Sequence, residues 1–266
     1  MAEPILSVIM GVYNCPTEEM LMRAVDSVLE QTFSDLEFII CDDGSDNGTY
    51  EWLKKAARKD PRIVLIRNKR NMSLAYSLNR CIEIAGGRYI ARQDADDYSI
   101  PCRFEKQIAY LESHSQYAFV GSNCLLFADD VYGGRKMPHH PKKIDFLFNS
   151  PFIHGSVMFR REVFDGELYR PCGYSRKYED YDLFMRLYRN KQYGANLDEE
   201  LYAFYADMTE RRVPKIMRFD EAAVRYNGFK ELGLLPIGFV YVIKPFLLAM
   251  LPNSCLLMLK RRFNRI

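Results

Sequence analysis

The chain has 266 residues, 48% of them hydrophobic and 27% charged. That balance excludes a disordered chain and suffices for one large domain or two small ones. Net charge is only +2, yet all 35 acidic residues lie at or before Glu231 and five of the 37 basic ones (Lys244, Lys260, Arg261, Arg262, Arg265) follow it, so a body of −3 carries a tail of +5. A mildly acidic body argues against nucleic acid as a partner, and a basic tail fits an anionic membrane surface.

In chain order, Ile5 to Met10 reads as a strand that stops at Gly11. Thr17 can cap a helix with Glu18 and Glu19 in its first turn, and Met20, Leu21, Ala24, Val25, Val28 and Leu29 recur at helical spacing. Glu37 to Cys41 is a second strand, ending in Asp42-Asp43-Gly44-Ser45. A short helix through Trp52 and Leu53, the strand Ile63 to Ile66, and a helix with an apolar face of Leu74, Leu78, Cys81, Ile82 and Ala85 follow, with Gly86-Gly87 as its stop. Strands separated by helices of this length imply right-handed crossovers and a parallel sheet.

The strand Tyr89-Ile90-Ala91 then leads into Gln93-Asp94-Ala95-Asp96-Asp97. Carboxylates packed so closely repel one another, and at the carboxyl end of a strand in an open α/β sheet they stand where ligands bind. A hard divalent cation, Mg²⁺ or Mn²⁺, would take one or two of them, keep some waters and bridge to substrate phosphates. Acidic turns before a proline such as Pro101 also simply solvate loops or cap helices.

A helix through Phe104, Ile108 and Leu111 follows, then a strand at Phe119-Val120. Beyond it the pattern shortens: Gly133-Gly134 reads as a hairpin turn, Pro138 to Pro141 as a loop, Gly155 to Phe159 and Leu201 to Tyr205 as strands, and Asp180 to Arg189 as an amphipathic helix. There is no internal repeat or clear linker. The economical reading is one α/β domain over 1–231, with a nucleotide half (1–122) and an acceptor half (123–231), followed by a tail, 232–266.

From Leu232 to Leu259 the only charged residue is Lys244, but Pro236, Pro245 and Pro252 cut the run into pieces shorter than the roughly 20 residues a membrane-spanning helix needs. An in-plane, interfacial tail ending in Lys260-Arg261-Arg262 fits this pattern. The alternative is that these pieces close the core or pair with a second subunit. Seven scattered cysteines without a C-x-x-C pair read as free thiols in a reducing compartment. The N-terminus has no basic, apolar leader, so the body is expected in the cytosol.

Neither G-x-G-x-x-G nor G-x-x-x-x-G-K-[ST] occurs, which removes the common dinucleotide and P-loop readings. Instead Tyr13, at the end of strand one, could stack on a base or be a rim aromatic. Asp42, at the end of strand two, could accept hydrogen bonds from a base edge or ribose, or cap the following turn.

These segments resemble family 2 glycosyltransferases of the GT-A fold. The resemblance is carried by Ser7 to Asn14, Ala24 to Thr32, Phe38 to Thr49 and Asp94-Ala95-Asp96-Asp97, and later by His154 to Arg161 and Glu179 to Leu187, which are similar to blocks of bacterial members. It implies an inverting transferase with a nucleotide-diphosphate sugar donor, usually UDP-linked, and a Mg²⁺ or Mn²⁺ cofactor. Tyr13, Asn14, Asp42, Asn71, Asp94 and Asp96 would then bind the nucleotide-sugar, with Asp42 facing the base, Asp94 holding ribose or diphosphate, and Asp96 the metal ligand. Asp180 is the candidate general base; its competing role is a helix N-cap, and Glu179 and Asp182 are competing carboxylates. His154 and Glu179 would touch acceptor or diphosphate, or His154 would simply hydrogen-bond inside the fold. Ser73 stands where many members carry glycine, which puts in doubt how closely the backbone approaches the donor. No histidine follows His154, so a late histidine metal ligand is not available in this sequence.

The expected activity is transfer of a hexosyl or N-acetylhexosaminyl unit to a saccharide acceptor, lipid-linked, at the cytoplasmic face of the inner membrane in O-antigen, capsule or exopolysaccharide assembly. The alternatives are a sugar nucleotidyltransferase, which would release pyrophosphate, and a non-catalytic nucleotide-sugar-binding membrane scaffold.

Overall fold

The computed structural model describes residues 3–128, 131–171, 173, 177–206 and 214–250. Its first half alternates as the apolar periodicity predicts: β1 (Leu6–Val12), α1 (Glu18–Leu29), β2 (Leu36–Asp42), α2 (Thr49–Lys59), β3 (Ile63–Arg67), α3 (Leu74–Ile84) and β4 (Tyr89–Arg92). The expected cap is present, with the Met20 amide donating to Thr17 Oγ1 at 3.2 Å and both glutamates in the first turn, where the helix dipole favours them. β3, β2, β1 and β4 lie side by side and parallel, so Asp42 and the residues following β1 and β4 emerge on one edge.

After β5 (Tyr98–Ser99) and α4 (Arg103–Ser113) the sheet becomes mixed. β8 (Met158–Arg160) runs antiparallel between β4 and β6 (Phe119–Phe127), and β9 (Gly194–Tyr205) runs parallel to β6 on the other side. β9 returns to pair with β5, so the strand just after the acidic cluster is held by one more than 100 positions later. The point between Ser122 and Asn123, expected to separate the two halves, falls inside β6, where its register with β9 shifts.

Strand residues alternate between two cores, as the two-residue period of a pleated strand requires. Val8, Met10, Phe38 and Ile40 pack with α1, α2 and α4, while Ile9, Ile39 and Cys41 pack with α3, α5 (Glu179–Arg189) and α6 (Lys215–Leu232) on the opposite face. Each such side chain, fully buried, contributes about 1.5–3 kcal/mol.

Three local expectations are corrected. Gly133 and Gly134 are not the hairpin turn; they lie within β7 (Val131–Arg135), opposite Leu126 and Leu125 of β6. Residues 154–156 form a 3-10 turn, and the strand begins only at Met158, because the Ser156 hydroxyl bonds back to the Ile153 carbonyl at 2.9 Å. Pro245 does not break the tail, since α7 (Leu235–Met250) continues through it.

Among the described residues no helix is long and apolar enough to cross a membrane. The inner face of α7 packs on α6 and the core through Val242, Phe246 and Gly238, where an added Cβ would stand 2.8 Å from the Phe229 ring. Its outer face presents Ile237, Val240 and Leu247, each more than half exposed. The Lys260-Arg261-Arg262 end of the expected membrane tail lies outside the described residues.

Candidate active site

Tyr13 stands 49% exposed at the rim beyond β1, open to a stacking partner. Asp42 is fully buried, and its carboxylate is engaged by Arg67 Nε at 2.9 Å, with the Ser45 amide at 3.3 Å. Arg67 shares this edge with Asp42, and its guanidinium also lies 4.2 Å over the Tyr50 ring. Asn14 is likewise committed to the fold. Its side chain exchanges two hydrogen bonds with Asp46, at 2.9 and 3.0 Å, and clamps the β2–α2 loop. Asn71 is exposed in the loop before α3.

Asp43, unassigned from sequence, organises that loop. Its buried carboxylate accepts from Asn68 Nδ2 at 2.6 Å and from the Met72 and Ser73 amides at 2.9 Å. Ser73 is thereby held at φ 102° and ψ 156°, a region occupied almost only by glycine, with its hydroxyl buried and without a hydrogen-bond partner among the described residues. Strain of this kind costs about 1–3 kcal/mol, against about 0.4–1 kcal/mol for the extra freedom of glycine in the unfolded chain. Ser73→Gly is accordingly expected to raise the melting temperature by a few degrees, about 2–4 °C per kcal/mol for a chain of this size; a scanning calorimetry trace unchanged or shifted downward contradicts the strain.

Asp94, His154 and Asp180 line one open cavity of about 820 Å³. Asp94 is fixed from below: Arg92, wholly buried, places Nη2 2.5 Å from Asp94 Oδ1, and the Tyr202 hydroxyl accepts the Asp94 amide at 3.1 Å. Gly155 admits this approach because a Cβ there would lie 2.1 Å from the Tyr202 hydroxyl and 2.7 Å from Asp94 Oδ2. The Arg92 Nε and Nη1 groups have no hydrogen-bond partner among the described residues, so its charge is spent on Asp94 and its electrostatic neighbours Tyr169, Tyr202 and Glu179.

Although Asp96 reaches solvent, the protein crowded around its carboxyl, and after it the Asp94 charge, push it up to about 6. A divalent cation fits such a place: the donors are hard oxygens whose mutual repulsion a cation relieves. Among the described residues no three histidine, cysteine, aspartate or glutamate side chains gather as a metal cage, so substrate phosphates and water would complete the coordination.

On the far wall α5 starts at Glu179, after Tyr178 in the left-handed region at φ 66°. Asp180 is thus inside the first turn and is not the N-cap. Asp182 is tied to Arg186 Nε at 2.7 Å. Glu179 is buried, and desolvation together with the Asp180 charge pushes it up to about 7. Of these three carboxylates only Asp180 lines the cavity. His154 hydrogen-bonds through Nε2 to the Tyr169 hydroxyl at 2.9 Å, and burial and the Arg92 charge lower it to about 4, so its imidazole is neutral at physiological pH.

The sequence reading missed Arg67, Arg92, Asp43 and Tyr202. Arg67 ends β3 directly opposite Asp42 in the ladder, a pairing that the sequence alone does not show.

A mixed sheet whose parallel strands end in carboxylates, with another carboxylate across an open cleft, has the arrangement of a GT-A-like α/β fold. The same fold occurs in the mannosyltransferase PcManGT from Pyrobaculum calidifontis, solved in complex with GDP-Man and Mn²⁺, which superposes with a TM-score of 0.63 at 16% identity over 98% of this chain and 80% of that one. The chain belongs to glycosyl transferase family 2, whose sequence pattern matches residues 7–166. It is 40% identical over 255 residues to EpsE of Bacillus subtilis (strain 168), named as a glycosyltransferase, covering 94% of this chain and 91% of the relative. It is 36% identical over 130 residues, 49% of this chain and 50% of the relative, to the Escherichia coli UDP-Glc:alpha-D-GlcNAc-diphosphoundecaprenol beta-1,3-glucosyltransferase WfaP. This chain is a glycosyltransferase.

Proposed function

We propose that the enzyme transfers a hexosyl or N-acetylhexosaminyl unit from a UDP-sugar to a saccharide acceptor carried on a lipid, with inversion and with a divalent cation, in bacterial surface-polysaccharide assembly. The observation that carries this reading is the placement of Asp180 and Asp94 on one cavity, with the other two carboxylates of the α5 first turn turned elsewhere. Asp180 takes the proton of the attacking acceptor hydroxyl, and a single displacement then inverts the anomeric carbon. Asp94, held by Arg92 and Tyr202, orients the ribose or diphosphate; neutral His154 offers a hydrogen bond rather than a charge; Tyr13 packs on the base beside the Arg67–Asp42 pair. Asp96 would hold the divalent cation, which would supply positive charge to offset that of the departing diphosphate. The UDP-glucose donor and diphosphoundecaprenol-linked acceptor in the name of WfaP support the choice of donor and of acceptor class.

A panel of UDP-, GDP- and dTDP-sugars, read by cation-dependent thermal stabilisation and nucleotide release, tests it. UDP-sugars are expected to stabilise the protein and release UDP. Release of pyrophosphate would instead make it a nucleotidyltransferase, and stabilisation without turnover on any acceptor would make it a scaffold.

In this reading residues 1–122 supply the donor half, 123–231 the acceptor half, and 232–266 hold the protein peripherally on the cytoplasmic face of the inner membrane. Because the inner face of α7 belongs to the core, the membrane part is tested on the outer face alone. Ile237→Glu, Val240→Glu and Leu247→Glu together are expected to reduce flotation with anionic liposomes while leaving the melting temperature unchanged. High salt weakens binding of the parent only in part, since charges are screened beyond about 8 Å at physiological ionic strength while apolar contacts persist. Equal flotation of parent and variant removes the assignment.

A further inference from the structure

The cavity that holds Asp94 and Asp180 has a rim of opposite charge. Arg135, the last residue of β7, and Lys136, next to it, both line this cavity and are exposed. Some surface arginines hold carboxylates, as Arg88 does with Glu112 and Arg189 with Glu231, and others, such as Arg58 and Arg161, form no ion pair among the described residues; what sets Arg135 and Lys136 apart is their place on this cavity. Arg135 and Lys136 form no ion pair among the described residues; Arg135 stands opposite Cys124 in the β6–β7 ladder, with its guanidinium 5.9 Å from the Phe204 ring. The cavity's other cation, Arg225, is already spent: it pairs with Glu221 at 3.0 Å and donates to the Leu147 carbonyl at 3.0 Å. An acidic floor with a cationic rim that is unpaired among the described residues does not match a neutral saccharide alone. It matches a saccharide that carries an anion at one end.

The same cavity leads to the apolar part of the surface. Phe148, 56% exposed on its wall, meets Tyr241 of α7 edge to face at 5.4 Å, and beyond Tyr241 lies the outward row of Ile237, Val240 and Leu247. An anion placed on the rim therefore has acidic chemistry on one side and an apolar path on the other.

We propose that Arg135 and Lys136 form an anion subsite for the phosphate or diphosphate that joins the acceptor sugar to its lipid, with Phe148 directing the first lipid units toward α7. The proposal rests on the lipid-linked acceptor reading above and assigns it residues. The terminal sugar then points at Asp180, and the donor diphosphate keeps to the Asp94–Asp96 edge.

Titration calorimetry with the full chain, EDTA present and saturated with UDP, tests it using farnesyl diphosphate, inorganic pyrophosphate and farnesol as probes. Farnesyl diphosphate is expected to bind, more tightly than pyrophosphate, and farnesol hardly at all. Arg135→Gln combined with Lys136→Gln should weaken farnesyl diphosphate about 10-fold or more, the scale of one lost charge-assisted hydrogen bond, and leave UDP affinity within about twofold. Equal binding by parent and variant overturns the subsite while leaving a lipid-linked acceptor standing. A matching loss of UDP affinity assigns the two cations to the donor and also overturns it. Failure of the UDP-saturated parent to bind farnesyl diphosphate overturns both the subsite and the diphosphate-lipid reading.

Discussion

Asp180→Asn is expected to lower turnover by about 10²-fold or more with nucleotide-sugar affinity unchanged, the scale typical of losing a general base. The substitution keeps the volume and the helix start, because Asp180 is not the N-cap and its carboxylate faces the cavity rather than a structural partner. Single-turnover rates on saturating donor, compared with donor Kd from calorimetry, separate the outcomes. A parallel fall in donor affinity would make Asp180 a positioning residue. The neighbouring Glu179 offers a control, since it is buried, its carboxyl is raised to about 7 and it does not line the cavity. Glu179→Gln should keep far more of the turnover than Asp180→Asn does.

Asp96→Ala should abolish transfer and remove the effect of Mg²⁺ or Mn²⁺ on donor binding while the fold persists. Asp96 is exposed, and crowding and the Asp94 charge disfavour its ionised form, so its removal relieves repulsion instead of opening a core. The readouts are near-ultraviolet circular dichroism for the fold and the UDP thermal shift with and without MnCl₂ for the site. Full activity in the variant, or in the parent protein after EDTA, contradicts the cation assignment.

Sequence carried the first half of the fold because each signal there is local: an apolar strand of period two, a capped helix of period 3.6, a glycine stop. It pointed to Asp94 and Asp96 because acidic side chains at a strand end are visible in one segment, and to Asp180 through the family resemblance; of these the structure puts Asp94 and Asp180 on one cavity. What it did not carry is pairing between distant segments. The antiparallel insertion of β8 between β4 and β6 depends on a ladder of three residues, Tyr89 to Ala91 against Met158 to Arg160, whose apolar run alone does not give its direction. The partners of Asp42 and Asp94 were hidden for a related reason. Arg67 reaches Asp42 only through the β2–β3 register, and Arg92, the last residue of β4 and two before Asp94, looks like an exposed edge residue yet is fully buried. α7 passes through Pro245 because its inner face is bought back by packing on α6, a tertiary term no local rule contains.

The pairing of β5 with β9 bears on how this enzyme could be re-engineered. Tyr98 and Ser99 sit opposite Ala203 and Tyr202, and the Tyr205 amide donates to Asp97 Oδ1 at 2.7 Å, so the acidic loop after β4 is stitched to β9. A chimera joined after residue 122, taking its donor preference from one parent and its acceptor preference from another, would mismatch that seam at the point where the carboxylates must be aimed. Even the stretch from Lys136 to Phe152, which contributes much of the cavity wall yet supplies no strand to the sheet, is tied to that seam: the Asn196 amide of β9 donates to the His139 carbonyl at 2.9 Å and its side chain to the Pro138 carbonyl at 2.8 Å, so an exchanged cavity wall has to bring its own β9 partner with it.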